Sequence, residues 1–149
     1  MKLGIVGHEA AKFTPETETE AKALIRTLLL NPAVTEVVSG ECHLGGIDIW
    51  AHEIADELGL PFTGFAPKER SWEKGYKPRN LQIAQADEVH CIVVAKLPES
   101  YKGMRFTYCY HCRTSEHAKS GGCWTAKRAK IGVWHVVGNK KCDAPVTLL

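Results

Sequence analysis

Cys109-Tyr110-His111-Cys112 is followed after four residues by His117 and after five more by Cys123. Two cysteines separated by two residues can present both thiolates to one ion from a single tight turn, and an imidazole with a third thiolate completes a tetrahedron. Soft thiolates combined with imidazole select zinc, so the group predicts a zinc site at Cys109, Cys112, His117 and Cys123. With all four positions filled by protein, no position is left for water, and the predicted role is structural. His111 is the competing imidazole, but it sits between the paired cysteines, where its side chain points away from an ion they share. Of the remaining cysteines, Cys42 and Cys91 stand alone and Cys142 lies near the tail. Six cysteines in a chain without an export signal read as reduced thiols or metal ligands rather than disulfides.

A second constellation is built from glycines. Ser39-Gly40-Glu41-Cys42-His43-Leu44-Gly45-Gly46-Ile47-Asp48 runs from the end of an apolar segment into a helical one, and Gly121-Gly122 precedes Cys123-Trp124-Thr125 at a similar junction. Glycines allow tight turns and bare amide N–H groups, which together with a helix N-terminus suit a phosphate. Neither run is a Walker motif or a G-x-G-x-x-G fingerprint. The plain alternative is a strand-to-helix turn with Asp48 complementing the helix dipole. Gly7-His8 and Arg79-Asn80 are expected to join the same edge. Cys42-His43 would be a nucleophile pair only if adjacent side chains met, and neighbours along a chain usually point apart. Trp72 and Tyr76 are candidates for stacking on a base or for loop packing, whereas His52, His90, Trp50 and Trp134 read as packing or surface residues.

The elements that must position these groups alternate between strand and helix. Residues 2–6 form a short apolar strand. Thr14 caps a helix with Pro15 in its first turn, Glu16 and Glu18 near the positive end, and Ala21, Leu24, Ile25, Leu28 and Leu29 at helical spacing. Residues 36–40 form a second strand. Ile47, Ala51, Ile54 and Leu58 mark a helix that Gly59 ends, residues 61–65 a third strand, and Pro78 opens a helix after a loop over 66–77. A strand over 89–95, a short helix over 125–130 and a strand over 133–137 complete the order. This alternation predicts an α/β, Rossmann-like three-layer fold with a mostly parallel sheet, whose carboxyl edge is the expected ligand site. Residues 96–122 lack either periodicity, and so long a bare loop is improbable in a small domain. A zinc-binding insertion over about 96–123 accounts for them, because bound metal would supply the folding energy.

The chain of 149 residues, 44% hydrophobic and 24% charged, matches one globular domain over 1–149 that buries roughly two-thirds of its unfolded surface. A formal charge of +2 gives no bulk argument for nucleic acid or membrane. No apolar run reaches membrane-spanning length, and the apolar start breaks at Gly7-His8, which predicts a cytoplasmic protein.

The cysteine spacing resembles a zinc knuckle, C-x2-C-x4-H-x4-C, with a final gap one residue longer and Glu116 where knuckles usually carry glycine. Knuckles often bind single-stranded nucleic acid. Tyr110 follows the first cysteine, Tyr108 and Trp124 are near, and Lys96, Lys102, Arg105, Arg113 and Lys119 outnumber Glu99 and Glu116, with Lys127, Arg128 and Lys130 beyond. This makes a nucleic-acid face the second reading, against a solvated surface around a structural metal.

Taken in order, Gly7-His8, Ser39-Gly40 through Gly45-Gly46-Ile47-Asp48, Pro78-Arg79-Asn80 leading to Asp87, and Gly121-Gly122-Cys123-Trp124-Thr125 resemble the SLOG superfamily of Rossmann-like proteins. The likeness is to its small YspA/YpsA-related branch, within a superfamily that includes Lonely-guy and DprA-like proteins, and it covers most of the chain outside 96–120. It implies a nucleotide or nucleotide-derived ligand, with Gly7, His8, Ser39, Gly40, Gly45, Gly46, Asp48, Arg79, Asn80, Gly121, Gly122 and Thr125 around it, and a homo-oligomer. Lonely-guy phosphoribohydrolases carry P-G-G-x-G-T-x-x-E. Here Ser120 stands at its proline, Trp124 at its last glycine and Arg128 at its catalytic glutamate, so the resemblance implies binding or sensing ahead of nucleotide N-glycoside hydrolysis.

Overall fold

In a computed structural model the chain is described over residues 1–139, and Cys142 lies outside them. Five strands, β1 (Lys2–Gly7), β2 (Glu36–Gly40), β3 (Phe62–Phe65), β4 (Glu88–Val94) and β5 (Gly132–Val137), form one all-parallel sheet in the order β3-β2-β1-β4-β5. Four helices connect them: α1 (Pro15–Leu29), α2 (Ile47–Glu57), α3 (Lys77–Ala84) and α4 (Gly121–Arg128). The expected Rossmann-like α/β architecture is therefore present, with helices on both faces.

Period-two alternation along β4 divides the core. Ile92 and Val94 join Leu3, Ile5 and Val37 beneath α1 and α2, where Ile25, Leu29, Ile47, Trp50 and Ile54 are buried. Val89, Cys91 and Val93 face the other way, against Ile83 of α3 and Cys123 and Ala126 of α4. Parallel strands covered on both faces must be apolar almost throughout, which explains the unbroken run Val89 to Val94, apart from His90.

The ends of the elements follow local chemistry. Thr14 caps α1 by accepting from the Thr17 N–H, and Thr17 reciprocates through its own hydroxyl. Gly59, at φ +72°, ends α2 in the left-handed region. Two boundaries differ from expectation. The stretch 66–77 is not loop throughout, because Trp72–Tyr76 winds into a π-helical turn that runs directly into α3. The final helix starts at Gly121 rather than Thr125, since Ser120 caps it by accepting from the Gly122 N–H at 3.0 Å, and it ends at Arg128. The glycine pair and Cys123 thus belong to its first turn. Residues 96–120 hold neither helix nor strand beyond one antiparallel bridge between Cys109 and Thr114.

Candidate functional site

The strand order reverses between β1 and β4, and at such switch points open parallel sheets leave a crevice beyond their carboxyl ends. A cleft of about 260 Å³ lies there, lined by Gly7, His8, Gly45, Asp48, Arg79, Asn80, Gly121, Gly122 and Thr125, with Cys42, Trp72 and Tyr76 at its margins. Nine of the twelve residues singled out for ligand binding line this one space. The other three shape it from beneath. The Ser39 hydroxyl is buried and shared between the Ile5 carbonyl and Asp48 Oδ1. A Cβ at Gly40 would come within 2.4 Å of Arg79 Nη1 and 2.6 Å of Asp48 Oδ2, so glycine there lets both side chains approach the strand end. Gly46, at φ +91°, packs against the His8 carbonyl and precedes α2.

Arg79 Nε donates to Asn80 Oδ1 at 2.8 Å and Nη1 to the Phe65 carbonyl at 3.2 Å, fixing the guanidinium across the end of β3. Asn80 is 8% exposed and Thr125 1% exposed, and both line the cleft, Asn80 with its Oδ1 held by Arg79. Polar side chains of otherwise buried residues that line a cleft are suited to bind a ligand or water there. Enclosure raises the Asp48 carboxyl above its usual range, offset in part by Arg79 and the Ser39 hydroxyl. Cys42 is also raised, mainly by burial, which is the wrong direction for a thiolate nucleophile.

His8 lines the cleft, and its ring nitrogens are held by the main chain. It is 2% exposed, the Val94 N–H donates to its Nδ1 at 3.1 Å, and Nε2 lies 2.8 Å from the Lys119 carbonyl. The first bond makes Nδ1 the acceptor, so Nε2 carries the proton and donates. Both ring nitrogens are therefore occupied, and the imidazole braces the carboxyl end of β4 to the segment entering α4. Burial pushes its pKa down to about 3.

Immediately behind the Gly121–Gly122 wall lies the Cys/His group. The ligand atoms of Cys109, Cys112, His117 and Cys123 all lie within 4.8 Å of one another and could hold a metal ion. A tetrahedral ion with metal–sulfur bonds of about 2.3 Å requires edges of roughly 3.8 Å, a contraction of at most about 1 Å. The paired cysteines sit on a turn closed by the Cys109 N–H donating to the Thr114 carbonyl at 2.8 Å, with Arg113 at φ +56°. A non-glycine residue in that region costs on the order of 1–2 kcal/mol, which metal ligation can offset. His117 Nδ1 lies 2.8 Å from the Ala118 carbonyl, the second bond that orients a ligating imidazole and leaves Nε2 for the ion. His111 is outside the group, its ring packed against Tyr110.

Two further residues serve this centre, and neither was legible in the spacing. Cys91 is fully buried on β4 with Sγ 4.0 Å from Cys123 Sγ. Trp134, opposite Cys91 on β5, has a buried indole N–H with no hydrogen-bond partner of ordinary geometry. The hydrogen bond from Cys91, then the neighbouring His117, Cys112 and the Trp134 N–H, hold the Cys123 thiol well below its ordinary range, while Cys91 itself is raised and keeps its proton. A thiol so disposed to lose its proton is suited to a cation. The alternation of β4 is the sequence signal that puts Cys91 on the α4 side.

His90 is buried at the far, amino end of β4, where its nitrogens lie 2.9 Å from His135 Nε2 and from Glu88 Oε1. It takes no part in the cleft. His52 stacks on Phe62 and Trp50 packs edge-on against Phe13, as packing residues.

Two outcomes follow from these contacts. His8 has a folded-state pKa far below its unfolded value, so the unfolded chain binds the extra proton and stability is complete above about pH 6.5 and lost as pH falls toward 3. His8 alone is expected to contribute a slope of about 1.4 kcal/mol per pH unit in urea denaturation below pH 6, and His8→Gln should flatten the profile by that amount. Cys91→Ala is expected to weaken metal binding by about ten- to a hundredfold, measured by chelator competition with cobalt(II) as the probe. No family model, curated protein or solved structure matches the chain.

Proposed function

We propose that the protein binds a mononucleotide-sized phosphorylated ligand in the cleft at the β1/β4 switch point, with a structural zinc at Cys109, Cys112, His117 and Cys123 behind the phosphate wall. The observation that carries the reading is the convergence in one cleft of two polar residues that are otherwise buried, Thr125 and Asn80, with the Gly121–Gly122 end of α4. A helix N-terminus favours an anion, with the Gly121 amide beside the Ser120 cap, Thr125 supplies a hydroxyl donor one turn in, and Arg79 supplies the counter-charge. At about 260 Å³ the cleft favours a mononucleotide over a dinucleotide, since drug-sized ligands usually occupy about 300–1,000 Å³.

Trp72 and Tyr76 supply the aromatic margin for a base. They sit on the π-helical turn, a feature that recurs at functional sites. Trp72 meets Trp124 edge-on at 4.8 Å, and the Arg128 guanidinium lies 3.7 Å from the Trp124 ring centre. Arg128 is thus engaged on an aromatic surface where a hydrolase of the Lonely-guy type would need a carboxylate, which supports binding or sensing over hydrolysis. The SLOG resemblance supports the same ligand class. The reduced thiols of the centre suit the cytoplasm. No helix among the described residues is long and apolar enough to cross a membrane.

A second reading, single-stranded nucleic acid on the zinc turn, is favoured by the exposure of Tyr108 and Tyr110 and by Lys119 lying 4.9 and 5.4 Å from the Phe106 and Tyr110 rings. Its mark would be a steep negative salt slope for oligonucleotides. Calorimetric titration with adenosine monophosphate separates the two. The cleft reading expects saturable binding at normal salt that Thr125→Val weakens by about tenfold, the value of one hydrogen bond to a charged group. Equal binding by the variant, or tight oligonucleotide binding with none by the mononucleotide, would contradict it.

A further inference from the structure

The metal ligands His117 and Cys123 bracket residues 118–122, and this short segment enters one wall of the cleft. Ala118 donates to the Val94 carbonyl at 3.1 Å, Lys119 accepts from His8, Ser120 caps α4, and Gly121 and Gly122 line the cleft. Gly122 is wedged so closely that a Cβ there would lie 3.0 Å from the Gly7 nitrogen and 3.2 Å from Cys91 Sγ. The wall is thus one residue thick between cleft and metal centre.

The chain that leads into it is held mainly by local contacts, among them Arg105 donating to the Leu97, Pro98 and Tyr101 carbonyls. From 96 to 117 the buried side chains are Cys109 and His117, both ligands of the centre. Burial of apolar surface is the main force that orders a segment against its conformational entropy, and here it is small, with Leu97 partly packed against the core and Phe106 half-buried. The sheet, by contrast, carries its own core on both faces. Removing the ion is expected to loosen the wall and spare the sheet.

Resting on the cleft reading above, we propose that metal occupancy at Cys109, Cys112, His117 and Cys123 sets the ligand affinity of the cleft, so that metal and phosphorylated ligand bind with positive linkage. The metal-bound chain presents the Gly121 amide and the Thr125 hydroxyl already in place. In the metal-free chain only a fraction of molecules does so, and the apparent Kd rises by the inverse of that fraction. Linkage is reciprocal, so the ligand must tighten the metal by the same factor.

The test uses the full chain and two probes, zinc and adenosine monophosphate. Calorimetry on zinc-loaded and chelator-stripped protein is expected to give at least tenfold weaker nucleotide binding after stripping. Zinc affinity, measured by competition with a chromophoric chelator, is expected to rise by the same factor when nucleotide is saturating. Cys112→Ser, at a half-exposed ligand that does not line the cleft, should reproduce the stripped behaviour. Far-ultraviolet circular dichroism of the stripped chain should retain the sheet and helix signal, and its complete loss would overturn the proposal by making the metal a staple of the whole fold. Equal nucleotide affinity with and without zinc would overturn the linkage and leave the cleft reading standing. Absence of nucleotide binding by the zinc-loaded chain would overturn both.

Discussion

The rest of the site depends on the convergence of three thiols and one imidazole in a segment that buries little apolar surface. In residues 96–117 only Cys109 and His117 are fully buried, with Leu97 partly packed on the core, yet the segment leads toward the helix that walls the cleft. Hydrophobic burial contributes little to ordering such a stretch, and hydrogen bonds contribute about 1 kcal/mol each. A metal ion held by four side chains can supply an order of magnitude more in a structural site. The contacts around the group agree with that role, because His117 is oriented through its other ring nitrogen and Cys123 meets Cys91 at its sulfur.

The sheet contributes the other half of the arrangement. An all-parallel sheet needs crossovers on both faces, and the reversal of strand order opens a crevice where β1 and β4 end side by side. Gly7 makes that end narrow, since a Cβ there would lie 2.1 Å from the Ile92 carbonyl oxygen. His8 then ties the end of β4 to the approach to α4 through two main-chain bonds. Cleft and metal centre share a wall because one short segment closes the loop between them.

Much of this was legible in the residues and some was not, for identifiable reasons. The strands and first two helices followed from period, caps and glycine stops, with Thr14 and Gly59 at the positions their chemistry predicts. The metal group followed from ligand spacing, and His117 rather than His111 joins it because a histidine between two paired cysteines faces away. The start of α4 was misjudged because two glycines read as loop, whereas the Ser120 cap makes them the first turn. The main-chain bonds of His8 were not legible because its partners, Val94 and Lys119, are distant backbone atoms that carry no side-chain signal. Cys91 read as solitary because its neighbour Cys123 lies across the sheet–helix interface, a contact that spacing along the chain does not encode.

The central claim is that the Cys/His group holds an ion, and native mass spectrometry of the freshly purified chain tests it most directly. The account predicts a mass increment of one zinc per chain that disappears when Cys109 and Cys112 are both replaced by alanine. A folded chain carrying no metal, whose mass is unchanged after incubation with zinc, would contradict it.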